Sequence, residues 1–484
     1  MKASIPPVLI IFALLCFALV QNTQAVSPPP DGGYPGGNTA EGQNALRSTT
    51  TGGYNAAVGY FSLFANTTGS FNTALGAGAL DLNTGDNNTA TGAAALLLNT
   101  TGANNTANGV DALAFNNTGN QNTANGAFVL FSNTGGIQNT ANGAFALRSN
   151  TTGVQNTATG VSALFNNTTG NGNTADGTSA LYGNTTASGN TATGWQALFS
   201  NTTINGVSGD NNTAAGYQAL FSNTTGDNNA ANGYQALYSN TTGFDNTANG
   251  YQALQNNTTG VANTAIGITA LLSNTTGIYN TAIGPAALLS NTTGSVNTAL
   301  GGSAGLNVTT ADNVICIGSG GANVNNSCFI GNIFGVTTGG VGSPVLVDSS
   351  GQLGTMSSSR RFKKDIGTMG KASEAILSLK PVTFHYKSDK TGTPQFGLIA
   401  EEVAKVNPTL VLPDKEGKPY TVRYDAVNAM LLNEFLKEHR KNDEQEATIA
   451  RLQKQIEALT AGLHKVSVQL AAGKSAPHVV ATNP

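Results

Sequence analysis

Tyr251-Gln-Ala-Leu-Gln-Asn-Asn-Thr-Thr-Gly-Val-Ala-Asn-Thr-Ala-Ile-Gly267 spans one full period of a unit that fills most of the chain. Counted from its Asn-Thr-Ala-x-Gly core, the unit occurs sixteen times, first at Asn38 and last at Asn297. The step is 17 residues with two exceptions: it is one residue short before Asn88 and five residues long before Asn212. Gly stands four residues after every opening Asn, from Gly42 to Gly301. Leu stands eight residues after it in fifteen copies, from Leu46 to Leu288. A fixed short period means that each repeat is one coil stacked on the next. Seventeen residues suffice for two short strands and two turns but not for a helical pair, so the spacing predicts a mainly β, parallel β-roll or β-solenoid. Gly and Asn tolerate left-handed backbone angles and are expected at the corners. Ala and Gly inside each coil imply a thin core, and the Leu rank is expected to bury against another chain. At roughly 4.8 Å per coil, sixteen coils make a rod about 75 Å long, along which Asn and Thr can form side-chain ladders.

Composition separates this array from the C-terminal tail. Of the 484 residues 60 are Gly and only 10% are charged, with a net charge of -3. Residues 26–350 hold two basic and eleven acidic residues, whereas the last 134 hold nineteen basic and fourteen acidic ones. The shift marks a domain boundary. Neither part has a basic stripe with interleaved aromatics, so nucleic acid is not an implied partner. The array contains no His and no Lys, which argues against an ordinary enzyme acting on outside substrates.

The N-terminus reads as an export signal. Lys2 supplies the positive start, Val8 to Val20 is an apolar run too short for a typical span, and Thr23-Gln24-Ala25 offers a small-residue cleavage site. The other reading is an uncleaved anchor. Cys16 lies inside the run behind Leu15 and is not read as a lipidation site. With no later apolar span expected, the product is secreted or held at the cell surface. Export permits a disulfide between Cys316 and Cys328; equally, they are two small buried side chains. All four histidines (His385, His439, His464 and His478) lie in the tail, so neither a metal site nor a cofactor is expected.

Within the array, Asn263-Thr-Ala-Ile-Gly267, Asn280-Thr-Ala-Ile-Gly284 and Asn313-Val-Ile-Cys-Ile-Gly318 resemble the head repeats of trimeric autotransporter adhesins, although the period here is longer. The resemblance implies a left-handed parallel β-roll that trimerises, and an adhesive role toward a surface glycan or a cell-surface receptor. Asn-x-Thr sequons such as Asn150-Thr-Thr152 and Asn240-Thr-Thr242 recur because the corner recurs, although in a eukaryotic secretory pathway they would be glycan acceptors. Regular threonines also raise the alternative of an ice- or polysaccharide-binding array, weakened by their expected place at corners.

The tail carries the chemistry. Its blocks are Thr355-Met-Ser-Ser-Ser-Arg-Arg-Phe-Lys-Lys-Asp-Ile366, Ala375-Ile-Leu-Ser-Leu-Lys-Pro-Val-Thr-Phe-His-Tyr386, Gln395-Phe-Gly-Leu-Ile-Ala-Glu-Glu-Val403 and Tyr420-Thr-Val-Arg-Tyr-Asp-Ala-Val427. In this order they resemble the C-terminal intramolecular chaperone domain of phage endosialidases and tail fibres, found also in myelin regulatory factor-type proteins. That family trimerises, assists folding of its upstream β-rich fibre, and cuts itself off with a Ser-Lys dyad. Its motif, Ser-Asp-x-Arg-x-Lys with an apolar residue three positions on, is met here by Ser358, Arg361, Lys363 and Ile366, with Ser359 in place of the Asp. The resemblance implies Ser358 as nucleophile, Lys363 as general base and Ser357–Ser358 as the scissile bond. Ser357 is the rival nucleophile. A serine hydroxyl needs an adjacent group to take its proton, and a lysine does so only where desolvation or nearby cations disfavour its charge. Arg360, Arg361 and Lys364 supply the cations, and trimer packing would supply the dry surroundings.

Ile449, Leu452, Ile456, Leu459, Leu463, Val466 and Leu470 alternate at spacings of three and four, a heptad seam. Ile at a and Leu at d lean by themselves toward two strands, so the trimer rests on the resemblance. The other reading of the seam is a single amphipathic helix folded back on the chaperone. The resulting layout is a signal peptide at 1–25, a Pro/Gly-rich leader at 26–37, the solenoid at 38–331 and a linker at 332–356. A chaperone and autoprotease domain at 357–427, a coiled coil at 428–472 and a disordered tail at 473–484 complete it. The function expected is a homotrimeric structural or adhesive fibre with a single-turnover, self-cleaving serine endopeptidase tail. The alternative is an uncleaved multivalent binding module with a permanent trimerisation tail.

Overall fold

The computed structural model describes residues 34–473 apart from 337, 338, 340, 341 and 349. The expected signal peptide with Cys16, most of the leader and residues 474–484 lie outside the described residues. The chain divides into two compact units, Met1–Val336 and Thr337–Pro484.

The first unit is a parallel β-solenoid whose strands form one 18-stranded sheet. Sixteen three-residue strands run from Thr39–Glu41 to Thr298–Leu300, and Val314–Ile317 and Ser327–Ile330 complete the stack. Neighbours pair in parallel with equivalent residues opposite, as Thr123↔Thr140 and Ala124↔Ala141. Alternation along a strand turns the central Ala inward, fully buried in nearly every coil, and its flanking residues outward. Most strands therefore begin with an outward Thr, so the threonines are not confined to corners as expected.

Each coil holds one strand, not the two expected. After its Gly the chain takes left-handed angles at alternate residues, for example Phe128 (φ 56°) and Leu130 (φ 49°). The left-handed positions thus include bulky side chains as well as Gly and Asn. No strand can follow such a zigzag, yet its amides still bond from coil to coil. The Phe128 N–H donates back to Val110 O at 2.9 Å, and the Leu130 N–H donates forward to Ala146 O at 3.0 Å. A left-handed L-residue costs roughly 1–2 kcal/mol, whereas burying a Leu side chain stabilises by about 1.5–3 kcal/mol. Burial wins, because Leu63, Leu130 and their equivalents are completely enclosed by their own chain. The expectation that the Leu rank buries against another chain is therefore corrected: stacking closes the core within one chain.

Two buried Asn ladders explain the rest of the consensus. The opening Asn139 donates from Nδ2 to Asn122 Oδ1 (3.2 Å) and Gly153 O (2.9 Å), while its own Oδ1 accepts from Asn156 N (3.0 Å) and Nδ2 (3.1 Å). The corner Asn150 donates to Asn133 Oδ1 at 2.8 Å and Gly153 O at 3.1 Å. Only an amide offers donors and acceptors for such a ladder. The corner asparagines, such as Asn150 and Asn240, are buried and present no free amide to glycosylate in the folded coil, whereas Asn87, Asn104 and Asn211 of the Asn-Asn-Thr sequons are exposed. The glycine after each strand is required by close approach: at Gly92 (φ +132°) a Cβ would lie 2.4 Å from Gly109 O of the next coil. The five extra residues before Asn212 form a hairpin, Thr203–Ile204 against Val207–Ser208. Its turn, Asn205-Gly206, has positive φ at both residues.

Cys316 and Cys328 are free thiols, the first buried and the second exposed. They sit on adjacent strands one register step apart, Ile315↔Cys328 and Cys316↔Phe329. Alternation therefore sends them to opposite faces, a placement that does not bring the two thiols together.

The second unit opens with an antiparallel hairpin, Val345–Val347 with Leu353–Thr355, inside the stretch taken as linker. Two further antiparallel pairs follow, Val382–Phe384 with Gln395–Gly397 and Val411–Pro413 with Pro419–Val422. The short helix Ala400–Val406 and the 49-residue helix Tyr424–Ala472 complete it. The core is small: Val403, Leu410, Val422 and Met430, with Ile376 and Leu379 against it. The long helix starts inside the segment read as chaperone and runs unbroken through Asn428 and Asn442. From Lys441 to Ala472 all its residues are exposed, so the seam does not fold back on the chaperone.

Candidate functional site

Ser357 to Ile366 forms an exposed segment at the start of the chaperone region. The Ser359 N–H donates to Ser357 Oγ at 3.3 Å, and the single turn Arg360–Phe362 follows. Lys363 leaves that turn in extended backbone (φ -121°), its N–H still bonded to Arg360 O at 3.0 Å. The Arg361 guanidinium lies 4.7 Å from the Phe362 ring centroid, a cation–π contact. Asp365 takes a left-handed angle (φ 52°) and turns the chain toward Ile366.

The turn thus brings Ser358, Arg361 and Lys363 into one short segment, but all of them stand in solvent with Ser357, Ser359 and Ile366. Proton transfer from a serine needs a base within hydrogen-bond reach and, for lysine, desolvated surroundings. A single chain supplies no cover over these groups. It also leaves apolar side chains of the same unit uncovered, notably Phe362, Tyr420 and the 81% exposed Phe396.

A second polar cluster lies where the long helix meets the segment Gly370–Ser378. Ser373, fully buried, bonds to Glu434 and accepts from Asn433 Nδ2 at 2.7 Å, with Lys437 Nζ at 3.4 Å. Lys437 pairs with Glu434 at 2.6 Å and reaches Glu374 at 3.5 Å. The hydrogen bond from Lys437, and then that from Ser373, holds the Glu434 carboxyl below its ordinary range. The same bond to Glu434 raises Lys437. Sequence reasoning missed this cluster. Its only signal is the i,i+3 spacing of Glu434 and Lys437, which says nothing of Ser373 some sixty positions earlier.

A parallel β-solenoid is thus followed by a small α+β unit whose long helix is uncovered from Lys441 to Ala472. Residues 358–412 match the family described as chaperone of endosialidase. No curated protein and no solved structure matches the chain significantly.

Proposed function

We propose that the chain is a secreted or surface fibre, structural or adhesive, whose C-terminal unit assembles three copies and then cuts itself free at Ser357–Ser358. One observation carries this reading: the family match begins at Ser358, C-terminal to a solenoid whose last strand ends at Ile330. The uncovered Phe362, Phe396 and Tyr420, and the bare heptad seam, support a unit that completes its packing with further copies.

In the assembled state, neighbouring copies cover residues 357–366 and exclude water. Lys363, deprived of solvent beside Arg360, Arg361 and Lys364, takes the proton of Ser358 Oγ. The hydroxyl oxygen bonds to the Ser357 carbonyl carbon, the C–N bond breaks, and the proton passes to the departing Ser358 amine. Water then hydrolyses the resulting ester, leaving a Ser357 carboxylate and restoring the hydroxyl. Because the dry site exists only between copies, cleavage reports correct assembly.

The test is a denaturing gel of the exported protein beside Ser358→Ala, Ser357→Ala and Lys363→Ala. Fragments 26–357 and 358–484 are expected from wild type and from Ser357→Ala, with the other two variants intact. An intact wild type would make the tail a permanent trimeriser, and loss of cleavage in Ser357→Ala alone would move the nucleophile.

A further inference from the structure

We infer that Trp195, Tyr217, Tyr234 and Tyr251 form a strip that binds an extended, uncharged polysaccharide along the solenoid axis. This rests on the adhesive reading above and assigns it a place. The four residues occupy the same position, one after the corner glycine, on four consecutive coils. Their rings stack at centroid distances of 4.8, 5.2 and 5.1 Å, with interplanar angles of 16°, 6° and 9°. Each is 40–48% exposed. Parallel rings touch at about 3.5–4.0 Å, so these centroid distances mean a slip of roughly 3–4 Å between neighbours. The strip is a staircase of offset, partly exposed rings.

Polar groups run beside it. Gln218 Nε2 donates to Gln196 Oε1 at 3.1 Å, and Gln235 Nε2 to Gln218 Oε1 at 3.0 Å, one position further along each coil. Trp and Tyr add one indole N–H and three hydroxyls. Exposed aromatics with amides and without lysine or glutamate have the composition of an interface centre, not of ordinary solvated surface.

Charge selects the partner. No Lys or Arg occurs between Arg148 and Arg360, and the acids of these coils, Asp210, Asp227 and Asp245, lie at the opposite end of the repeat, just before the opening Asn. A nucleic acid, an anionic lipid or a sulfated glycan would find no cation here. Spacing separates the remaining candidates. A peptide strand laid along the strip presents same-side side chains roughly 6.7 Å apart, out of step with the rings after two coils. A chain of six-membered sugar rings repeats at about the length of one ring interval. It can set an apolar ring face on each step and its hydroxyls on the amides.

The test is affinity electrophoresis of the full-length protein through gels containing a neutral β-glucan, a neutral galactomannan or polysialic acid. The variant carries Trp195→Thr, Tyr217→Thr, Tyr234→Thr and Tyr251→Thr together, since Thr178 occupies this position in the preceding coil. Val161→Thr with Ile268→Thr, at the same position outside the aromatic run, is the control, and circular dichroism confirms that each folds. Wild type and control should be retarded by a neutral glycan, and the fourfold variant should lose at least about tenfold in affinity. Undiminished binding by that variant would overturn the strip and leave the adhesive reading standing, as would wild-type binding to the polyanion alone. A wild type that binds none of the three would overturn the strip.

Discussion

Asn139 illustrates what a coil demands of one side chain. Its amide donates twice and accepts twice across three coils, so Asn139→Ala leaves the buried Asn156 N–H unpaired and takes one bond each from Asn122 Oδ1 and Gly153 O, which keep those from the Asn139 N–H and Asn150. The expected cost is roughly 2–4 kcal/mol, and because a solenoid unfolds by neighbouring repeats, amide exchange should rise in residues 122–156 before it rises elsewhere. Uniform exchange along the array would contradict that. Asp81 shows the opposite case. It stands where the adjacent coils carry Phe64 and Leu97, its Oδ1 has no hydrogen-bond partner, and burial pushes its carboxyl up from 3.8 to about 6. A folded value above the unfolded one means that the folded state binds the proton more tightly. Stability is therefore lost as pH rises from about 4 through 6 and stays reduced above. Asp81→Leu should stabilise the array at neutral pH by about 1 kcal/mol, after discounting for solvent screening, and should flatten that dependence. Melting curves at pH 4 and pH 7 decide it.

Among elements, the long helix carries the clearest unmet requirement. Its seven seam residues are 47–76% exposed, and water alone cannot hold such a helix apart from a partner. Leu452→Asp with Leu459→Asp should abolish the proposed homotrimer in analytical ultracentrifugation and, by the assembly argument, the proposed self-cleavage with it. Cleavage by a monomeric variant would sink the idea that the site is built between copies. Near its start, the helix is tied down by Ser373, Glu434 and Lys437. Glu434 is lowered from 4.5, so its contribution is present above that value and disappears as pH falls through the lower folded one. Lys437 is raised from 10.5, so its contribution is present below that value and disappears as pH rises through the higher folded one. Protection of amides 425–440 should accordingly be flat across neutral pH and fall in acid, and Glu434→Gln should remove the acid limb.

At the scale of the whole molecule, the array poses a register problem. Every coil offers nearly the same contacts, so two chains or two segments displaced by one repeat satisfy almost the same bonds. Parallel pairing adds high contact order and exposed edges during folding. An array ending at Ser357, expressed without residues 358–484, should therefore give polydisperse, aggregation-prone material in light scattering. A single sharp species would remove the need for a chaperone.

How much of this was legible depends on range. The period, the parallel stacking and the Asn ladders follow from residues repeated at one spacing, because a stack of identical coils brings like residues together whatever the details. The resemblance to the chaperone of endosialidase, matched over residues 358–412, was likewise readable from local sequence blocks. The single strand per coil was not. Leu130 accepts a left-handed backbone only because the next coil closes over it and bonds its amide, and no local propensity announces that. The same holds for the burial of the Leu rank within its own chain, for the opposite faces taken by Cys316 and Cys328, and for the meeting of Ser373 with Glu434 and Lys437. Local spacing sets which residues recur, but enclosure and distant contact exist only once the chain has closed on itself.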